Sequence, residues 1–288
     1  MPAPRVFVST GGFRTTPLEA VRALRAAGVR NVELSGGLLA GDPLAGLVEE
    51  VAHGPMQVHN YFPPQRDPFV FNLCDPDPAG RERSLLLACR AIEFGIELGS
   101  YIYSFHAGFL GTPAVSDLGR TWGVTNRIDA DQAMEFFAQS VDHLAVFAAD
   151  RGVSLMVENN VLTVGTAQSN GSDILLMTTP SGIREVLASL PPGVRLLMDV
   201  GHLAVSAATL GFDAGQGLAD VADLVGGYHL NDNDGTADTN EPLHADSWFW
   251  DGLAPGVEFV TLELNPSLVE SFSDQVALTE TRLAAHAV

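Results

Sequence analysis

Seven short apolar runs of this chain each end on a carboxylate or an imidazole. Asn31-Val-Glu-Leu-Ser carries Glu33, Gln57-Val-His-Asn carries His59, and Ser104-Phe-His-Ala-Gly carries His106. Leu155-Met-Val-Glu-Asn-Asn carries Glu158, and Leu196-Leu-Met-Asp-Val-Gly-His carries Asp199 and His202. Gly227-Tyr-His-Leu-Asn-Asp carries His229 and Asp232, and Val260-Thr-Leu-Glu-Leu-Asn carries Glu263. A lone histidine at a strand end is usually a packed rim residue, and a lone aspartate there often caps the next helix. A whole set of strand-terminal acids and imidazoles is different. Acids gathered where water is scarce are costly unless compensated, and a divalent cation is the usual compensation. The mixed carboxylate–imidazole chemistry suits Mg, Mn, Co, Fe or Zn. Which of these residues hold the ion stays open at this point.

The elements that position them form a regular alternation. Apolar, β-branched runs lie at Val6–Ser9, Asn31–Ser35, Met56–His59, Tyr101–His106, Val153–Glu158, Val194–Asp199, Leu224–Leu230 and Val257–Glu263. Helical segments are predicted at Pro17–Ala27, Ala79–Leu98, Asp131–Asp150, Gly182–Leu190 and Ser267–Ala285. Leu18, Val21, Leu24 and Ala27 share one helical face, and Thr16 followed by Pro17 reads as N-cap and first helical position. Eight strands leading into helices predict a (β/α)8 TIM barrel spanning residues 1–288 as a single domain. Its C-terminal strand ends converge on one mouth, which makes neighbours of residues far apart in sequence. The sixth and seventh helices are weakly marked: Ala207–Ala222 is Gly-rich, and Asn233–Gly256 is long and polar. Thr112–Arg127 reads as a loop, and Val161–Asp173 reads as a long loop able to act as a lid. Phe13, Tyr61, Phe62, Phe109, Trp122 and Trp248 fall near the expected mouth, where a ring can stack on a ligand or pack the barrel top.

Composition narrows the function classes. The 288 residues are 46 % apolar, enough for a large core. No run reaches the roughly 18 uncharged apolar residues of a membrane span, and the N-terminal stretch reads into a strand rather than a signal peptide. A cytoplasmic protein is expected, with Cys74 and Cys89 as packing residues. All fifteen Lys/Arg positions are Arg, which removes lysine Schiff-base chemistry. The net charge of −20 disfavours nucleic acid as a partner. No phosphate site is evident beyond the weak Gly36-Gly37 pair. The oligomeric state is open, a homo-oligomer included.

The strings MVENN, MDVGH, YHLNDNDG and LELN, with FHAG upstream, resemble the xylose isomerase-like barrels. That superfamily includes sugar isomerases and epimerases, inosose dehydratases, hydroxypyruvate isomerases and abasic-site nucleases of the endonuclease IV type. The resemblance runs from Glu33 to Glu263 and implies that Glu158, Asp199, His229 and Glu263 are the metal set. It implies Mn2+ first, with Mg2+, Co2+ or Zn2+ also fitting, and no organic cofactor. It further implies an isomerase or epimerase that acts on a small sugar or sugar-like polyol ketone through an enediolate, with Glu158 and Glu263 moving the proton. His202, His59, His106, Glu33 and Trp122 are expected around the substrate, with Asp232 supporting a ligand. A dehydratase of the inosose or dehydroshikimate type is the alternative, ahead of a nuclease or a non-catalytic binding barrel. Two departures count against particular subfamilies. The Asp-x-His pair of the nucleases reads Asp238-Thr-Asn240, and the substrate-binding Arg of the ketose 3-epimerases is replaced by Asp234-Gly235.

Overall fold

The computed structural model describes residues 4–114 and 123–286, which leaves Trp122 outside the described residues. The barrel strands are β1 (Arg5–Ser9), β2 (Val32–Leu34), β3 (Met56–His59) and β4 (Ile102–His106). They continue with β5 (Ser154–Glu158), β6 (Arg195–Asp199), β7 (Val225–Leu230) and β8 (Phe259–Leu262). Each pairs in parallel with its sequence neighbours, and β8 pairs with β1 to close the ring. This is the (β/α)8 barrel that the alternation predicts. A small antiparallel ribbon, Thr112–Pro113 with Val124–Thr125, lies outside it.

The helices are α1 (Pro17–Ala26), α2 (Leu47–Glu50), α3 (Pro78–Glu97), α4 (Ala130–Ala149) and α5 (Val164–Asn170). After them come α6 (Pro180–Ala188), α7 (Val200–Leu210), α8 (Ala214–Asp220) and α9 (Phe272–His286). Local chemistry explains where they begin. Thr16 and Glu19 form a reciprocal capping box at α1. Asp129, Thr163 and Thr179 cap α4, α5 and α6 through their side-chain oxygens.

Three expectations are corrected. The stretch Val161–Asp173 is not all loop, because Thr163 accepts from the Thr166 amide and starts α5 there. The sixth helical layer is α7 and α8 rather than one segment at Ala207–Ala222: α7 starts directly at the end of β6, and Gly211 in the left-handed region stops it. Asn233–Gly256 holds only a turn of 3-10 helix at Trp250–Gly252.

Side chains alternate along each strand, one set outward against the helices and the other into the barrel. Val8, Leu34, Val58, Phe105, Val157, Met198, Leu230 and Leu262 belong to the outer core. Inside, Phe7, Ile102, Met156, Leu197 and Phe259 plug the floor, with Phe7 and Phe259 edge to face at 6.2 Å. Above this floor stand Glu33 of β2, Gln57 of β3, Ser104 of β4 and Thr261 of β8, all buried. A further step brings His59, His106, Glu158, Asp199 and Glu263 to the mouth, with His229 paired to Asp199 and Thr261 across the sheet.

Candidate metal centre

Glu158, Asp199, His229 and Glu263 each present one ligand atom within 4.8 Å of the others. His229 Nδ1 lies 3.2 Å from Glu158 Oε1 and 3.5 Å from Glu263 Oε1. Ligands about 2.1 Å from a common cation stand about 3.0–3.4 Å apart along the edges of their polyhedron, so these separations fit one ion. Hydrogen bonding leaves Glu158 and His229 free to bind a cation, while Asp199 also accepts from its neighbours. Both Glu158 carboxylate oxygens and His229 Nδ1 are buried and, among the described residues, have no hydrogen-bond partner. Orphaned polar atoms at such depth are costly and call for a partner. The donor set therefore fits a divalent cation, with three carboxylates and one imidazole as the residues that would hold it.

The supporting residues come from neighbouring strands. Asn159 clasps β6 twice: its Nδ2 donates to the Asp199 carbonyl (3.0 Å), and its Oδ1 accepts from the Asp199 amide (2.8 Å). Asp199 Oδ1 accepts from the His202 amide at 2.7 Å, so the candidate ligand also caps α7. Asn231 Nδ2 reaches the two Asp199 oxygens at 3.3 and 3.2 Å. That reach explains the glycine in MDVGH, since a Cβ on Gly201 would sit 1.8 Å from Asn231 Oδ1. His202 Nδ1–H donates to the Asn159 carbonyl (2.8 Å), and its Nε2 faces Asp238 Oδ2 at 3.4 Å and Asp199 Oδ2 at 3.9 Å. With its amide oriented to satisfy both neighbours, Asn240 donates to Asp238 Oδ1 and the Glu263 carbonyl.

The structure brings most of the sequence-predicted residues together, at different depths. His59 Nε2 and His106 Nδ1 lie 3.2 and 3.3 Å from Glu158 Oε2. His59 is buried, with Nδ1 on Ser104 Oγ at 3.0 Å, whereas the His106 side chain is 28 % exposed and opens onto the mouth. Glu33 is not a pocket wall. It is fully buried on the far side of the imidazole, 3.1 Å from His229 Nε2, because its position on the short β2 sets it one layer lower. Asp232 supports a loop instead of a ligand: it accepts from Ser247 Oγ at 2.6 Å and pairs with Glu241 through the backbone. Phe62 is core, packed on Phe94. Tyr61 accepts from the Phe71 amide, and Trp248 remains partly exposed against Phe249. Asn159, Asn231, Asp238 and Gln57 were missed as site residues. Their only signal was adjacency to a strand-end acid or histidine, or, for Asp238, the altered Asp-x-His pair.

Charge is divided unevenly across the cluster. Burial would raise Glu158, but His106, His229 and His59 together hold its carboxyl well below the usual range. Burial pushes Glu263 up; His229 opposes this, and the charges of Glu158 and Asp199 add to it. Burial likewise raises Asp199, with His202 opposing and Glu158 and Asp238 adding. His106 is lowered to about 4 by burial, against the pull of Glu158. Two carboxylates driven in opposite directions are the arrangement from which base and acid roles are built. Glu263 is also the more accessible of the pair, with 16 % side-chain exposure against 0 % for Glu158.

Comparison with known proteins finds a family match over most of the chain. The family described as xylose isomerase-like TIM barrel matches residues 21–263. A search of the curated proteins by sequence finds no match. Among solved structures, a D-tagatose 3-epimerase-like protein is similar at TM-score 0.72 and 14 % identity, covering 98 % of this chain and 99 % of that one. A 3-keto-D-glucoside 4-epimerase from E. coli is similar at TM-score 0.64 and 17 % identity, covering 96 % and 99 %. A Thermus thermophilus protein soaked with zinc chloride is similar at TM-score 0.59 and 22 % identity, covering 95 % and 97 %. At these identities the likeness is one of fold.

Proposed function

The chain belongs to the xylose isomerase-like TIM barrel family, and from that premise we propose that it is a divalent-metal-dependent isomerase or epimerase of a small, uncharged sugar-like ketone. The observation that carries the reading is the convergence of Glu158, Asp199, His229 and Glu263 on one point, with both Glu158 oxygens and His229 Nδ1 left without a hydrogen bond among the described residues. Glu158, Asp199, His229 and Glu263 would hold the cation. When bound, it supplies a Lewis acid that polarises a carbonyl and offsets developing negative charge; Mn2+ suits this mix of oxygen and imidazole donors.

The chain's own residues do the remainder. Glu263, accessible and raised, is placed to exchange a proton with a carbon next to a carbonyl, and Glu158 is held ionised across the cluster. They stand just past the end of β8 and at the end of β5, three strands apart around the ring, so a substrate carbon can be flanked by both. Return of the proton to the opposite face is epimerisation, and return to the neighbouring carbon is isomerisation. Loss of a β-hydroxyl instead is the dehydratase outcome. His202, fixed by Asn159 and Asp238, offers a polar contact to a substrate hydroxyl. His106 is the imidazole most open to the mouth. Among the described residues the salt bridges of this cluster involve no arginine, which favours a neutral ligand over a phosphorylated one.

The test is incubation of the Mn2+-loaded protein with a panel of ketoses, inososes and dehydroshikimate-type acids in D2O. Deuterium is expected at a carbon next to the carbonyl of a neutral sugar, with a stereo- or positional isomer as product. A product lacking water would assign the lyase outcome, and no exchange with any neutral polyol ketone would refute the reading. One observation favours a second reading. His59, His106 and Glu158 form a further possible cation group that shares Glu158, as a two-metal phosphodiesterase would need. The −20 charge and Asn240 in place of a histidine oppose it. Incision of abasic DNA by the purified protein would establish it instead.

A further inference from the structure

A layer of polar side chains lies directly beneath the candidate metal set, where the layer below it is wholly apolar. Glu33 from β2, Gln57 from β3 and Thr261 from β8 meet there, all buried. Glu33 Oε2 accepts from Gln57 Nε2 (2.7 Å) and Thr261 Oγ1 (3.0 Å), and Gln57 also donates to Thr261 Oγ1 (2.9 Å). The third neighbour of that carboxylate is His229, whose Nε2 stands 3.1 Å from Oε1 and 3.3 Å from Oε2. Phe7, Ile102, Met156, Leu197 and Phe259 fill the next layer down without a polar group. A buried acid in place of such packing is costly, and its anchoring by two further donors marks it as fixed rather than incidental.

We propose that Glu33 is the positioning residue that makes Nδ1 of His229 the metal-binding atom. The inference rests on reading Glu158, Asp199, His229 and Glu263 as a metal centre. A neutral imidazole has one N–H and one lone pair, and the hydrogen bond at one nitrogen decides the state of the other. His229 has acceptors on both sides: Glu158 and Glu263 face Nδ1, and Glu33 faces Nε2. With Glu33 neutralised, a proton on Nδ1 donating to Glu158 would occupy the place a cation needs. With Glu33 ionised and held by Gln57 and Thr261, Nε2 keeps its proton, and Nδ1 is the nitrogen that yields its proton to an entering cation. A carboxylate behind a histidine also raises the basicity of the ligand nitrogen. Glu33 touches neither the substrate mouth nor the cation position; it acts through the ring.

The experiment uses the full chain, stripped of metal, with Mn2+ or Co2+ alone as the probe. In Glu33→Gln the amide is a weak, neutral acceptor, so affinity for either ion is expected to fall about 10- to 100-fold with the stoichiometry kept. The Co2+ absorption spectrum is expected to change, because the ligand nitrogen is less basic and less fixed. A residue with only a packing role would instead lower the melting temperature and leave the affinity and spectrum of the folded protein alone. Unchanged affinity and spectrum in Glu33→Gln would overturn the proposal. A second measurement needs no variant. In wild-type protein labelled with 15N-histidine and loaded with Zn2+, the His229 resonance, assigned by its loss in His229→Gln, is expected to show Nε2 protonated. A proton on Nδ1 would overturn the proposal even if Glu33→Gln failed to fold. Wild-type protein that binds none of these ions would overturn the metal-centre reading and this inference with it, whereas wild-type binding with an unaffected Glu33→Gln would sink the inference alone.

Discussion

At the scale of single residues, the cluster is a set of groups that compete for protons when no cation is present. Glu263 is raised and accessible, while Glu158 is held ionised by three imidazoles. Glu263→Gln is expected to reduce turnover by about 10²–10⁴-fold, the span of a lost acid–base group, with a smaller effect on metal affinity. Turnover left intact would remove Glu263 from proton transfer. The histidines give a separate prediction about pH. Burial alone would lower His202 and His229, but Asp199, Asp238 and Glu158 around the first hold it well above the usual range. Glu33, Glu263 and Glu158 do the same for the second. A raised histidine contributes stability that is complete below its unfolded value, about 6.5, and is lost as pH rises through the folded value. Raised Asp199 and Glu263 act with the same sign. The metal-free protein is therefore expected to melt at progressively lower temperature as pH rises above about 6.5. Saturating Mn2+ should flatten or reverse that slope, because the cation needs the deprotonated ligands. A metal-free melting temperature that rises over this range would contradict the assignment of these charges.

At the scale of the elements, the strands explain why so much of the site was legible. Glu158, Asp199 and His229 are the last inward-facing positions of their strands, and Glu263 follows directly on β8, each behind an apolar run whose period of two can be read directly. Depth was harder to read. Glu33 has the same signature as Glu158, yet register places it beside Gln57 and Thr261 instead of at the mouth. Depth in a barrel depends on strand stagger, which no single run contains. The supports were also obscure, because Asn231 and Asn159 act on a neighbouring strand and nothing in their own segments names that partner. The helices α5 and α8 lack strong periodicity and depend on the caps Thr163 and Asp213. Gly201 tests the coupling between α7 and the site. Gly201→Ala forces Asn231 away from Asp199 and is expected to cost about 1–3 kcal/mol as overpacking. It should also weaken metal binding, and Asn231→Ala should reproduce the weaker binding without the overpacking. A Gly201→Ala protein with wild-type stability and affinity would show that this close approach has no consequence.

At the scale of the whole molecule, an apolar floor, a polar middle layer and a charged mouth are stacked along one barrel axis. Long-range parallel pairing gathers residues from β2 through β8 into one polar cluster. The closed barrel was predictable from alternation, whereas the small ribbon of Thr112–Pro113 with Val124–Thr125 was not, since two-residue strands carry no periodicity. No helix among the described residues is long and apolar enough to cross a membrane. With −20 net charge and a cluster of buried acids, the fold gains from any cation that binds the native state alone, by about 2.7 kcal/mol at a hundredfold excess over Kd. The most direct test is therefore a calorimetric titration of metal-stripped protein with Mn2+, run in parallel on wild type, Asp199→Ala and His229→Ala. The expected result is one tightly bound cation per chain in the wild type, with that tight site lost in both variants. A wild type that takes up no cation, or variants that bind it with undiminished affinity, would contradict the assignment of Glu158, Asp199, His229 and Glu263 as a metal centre.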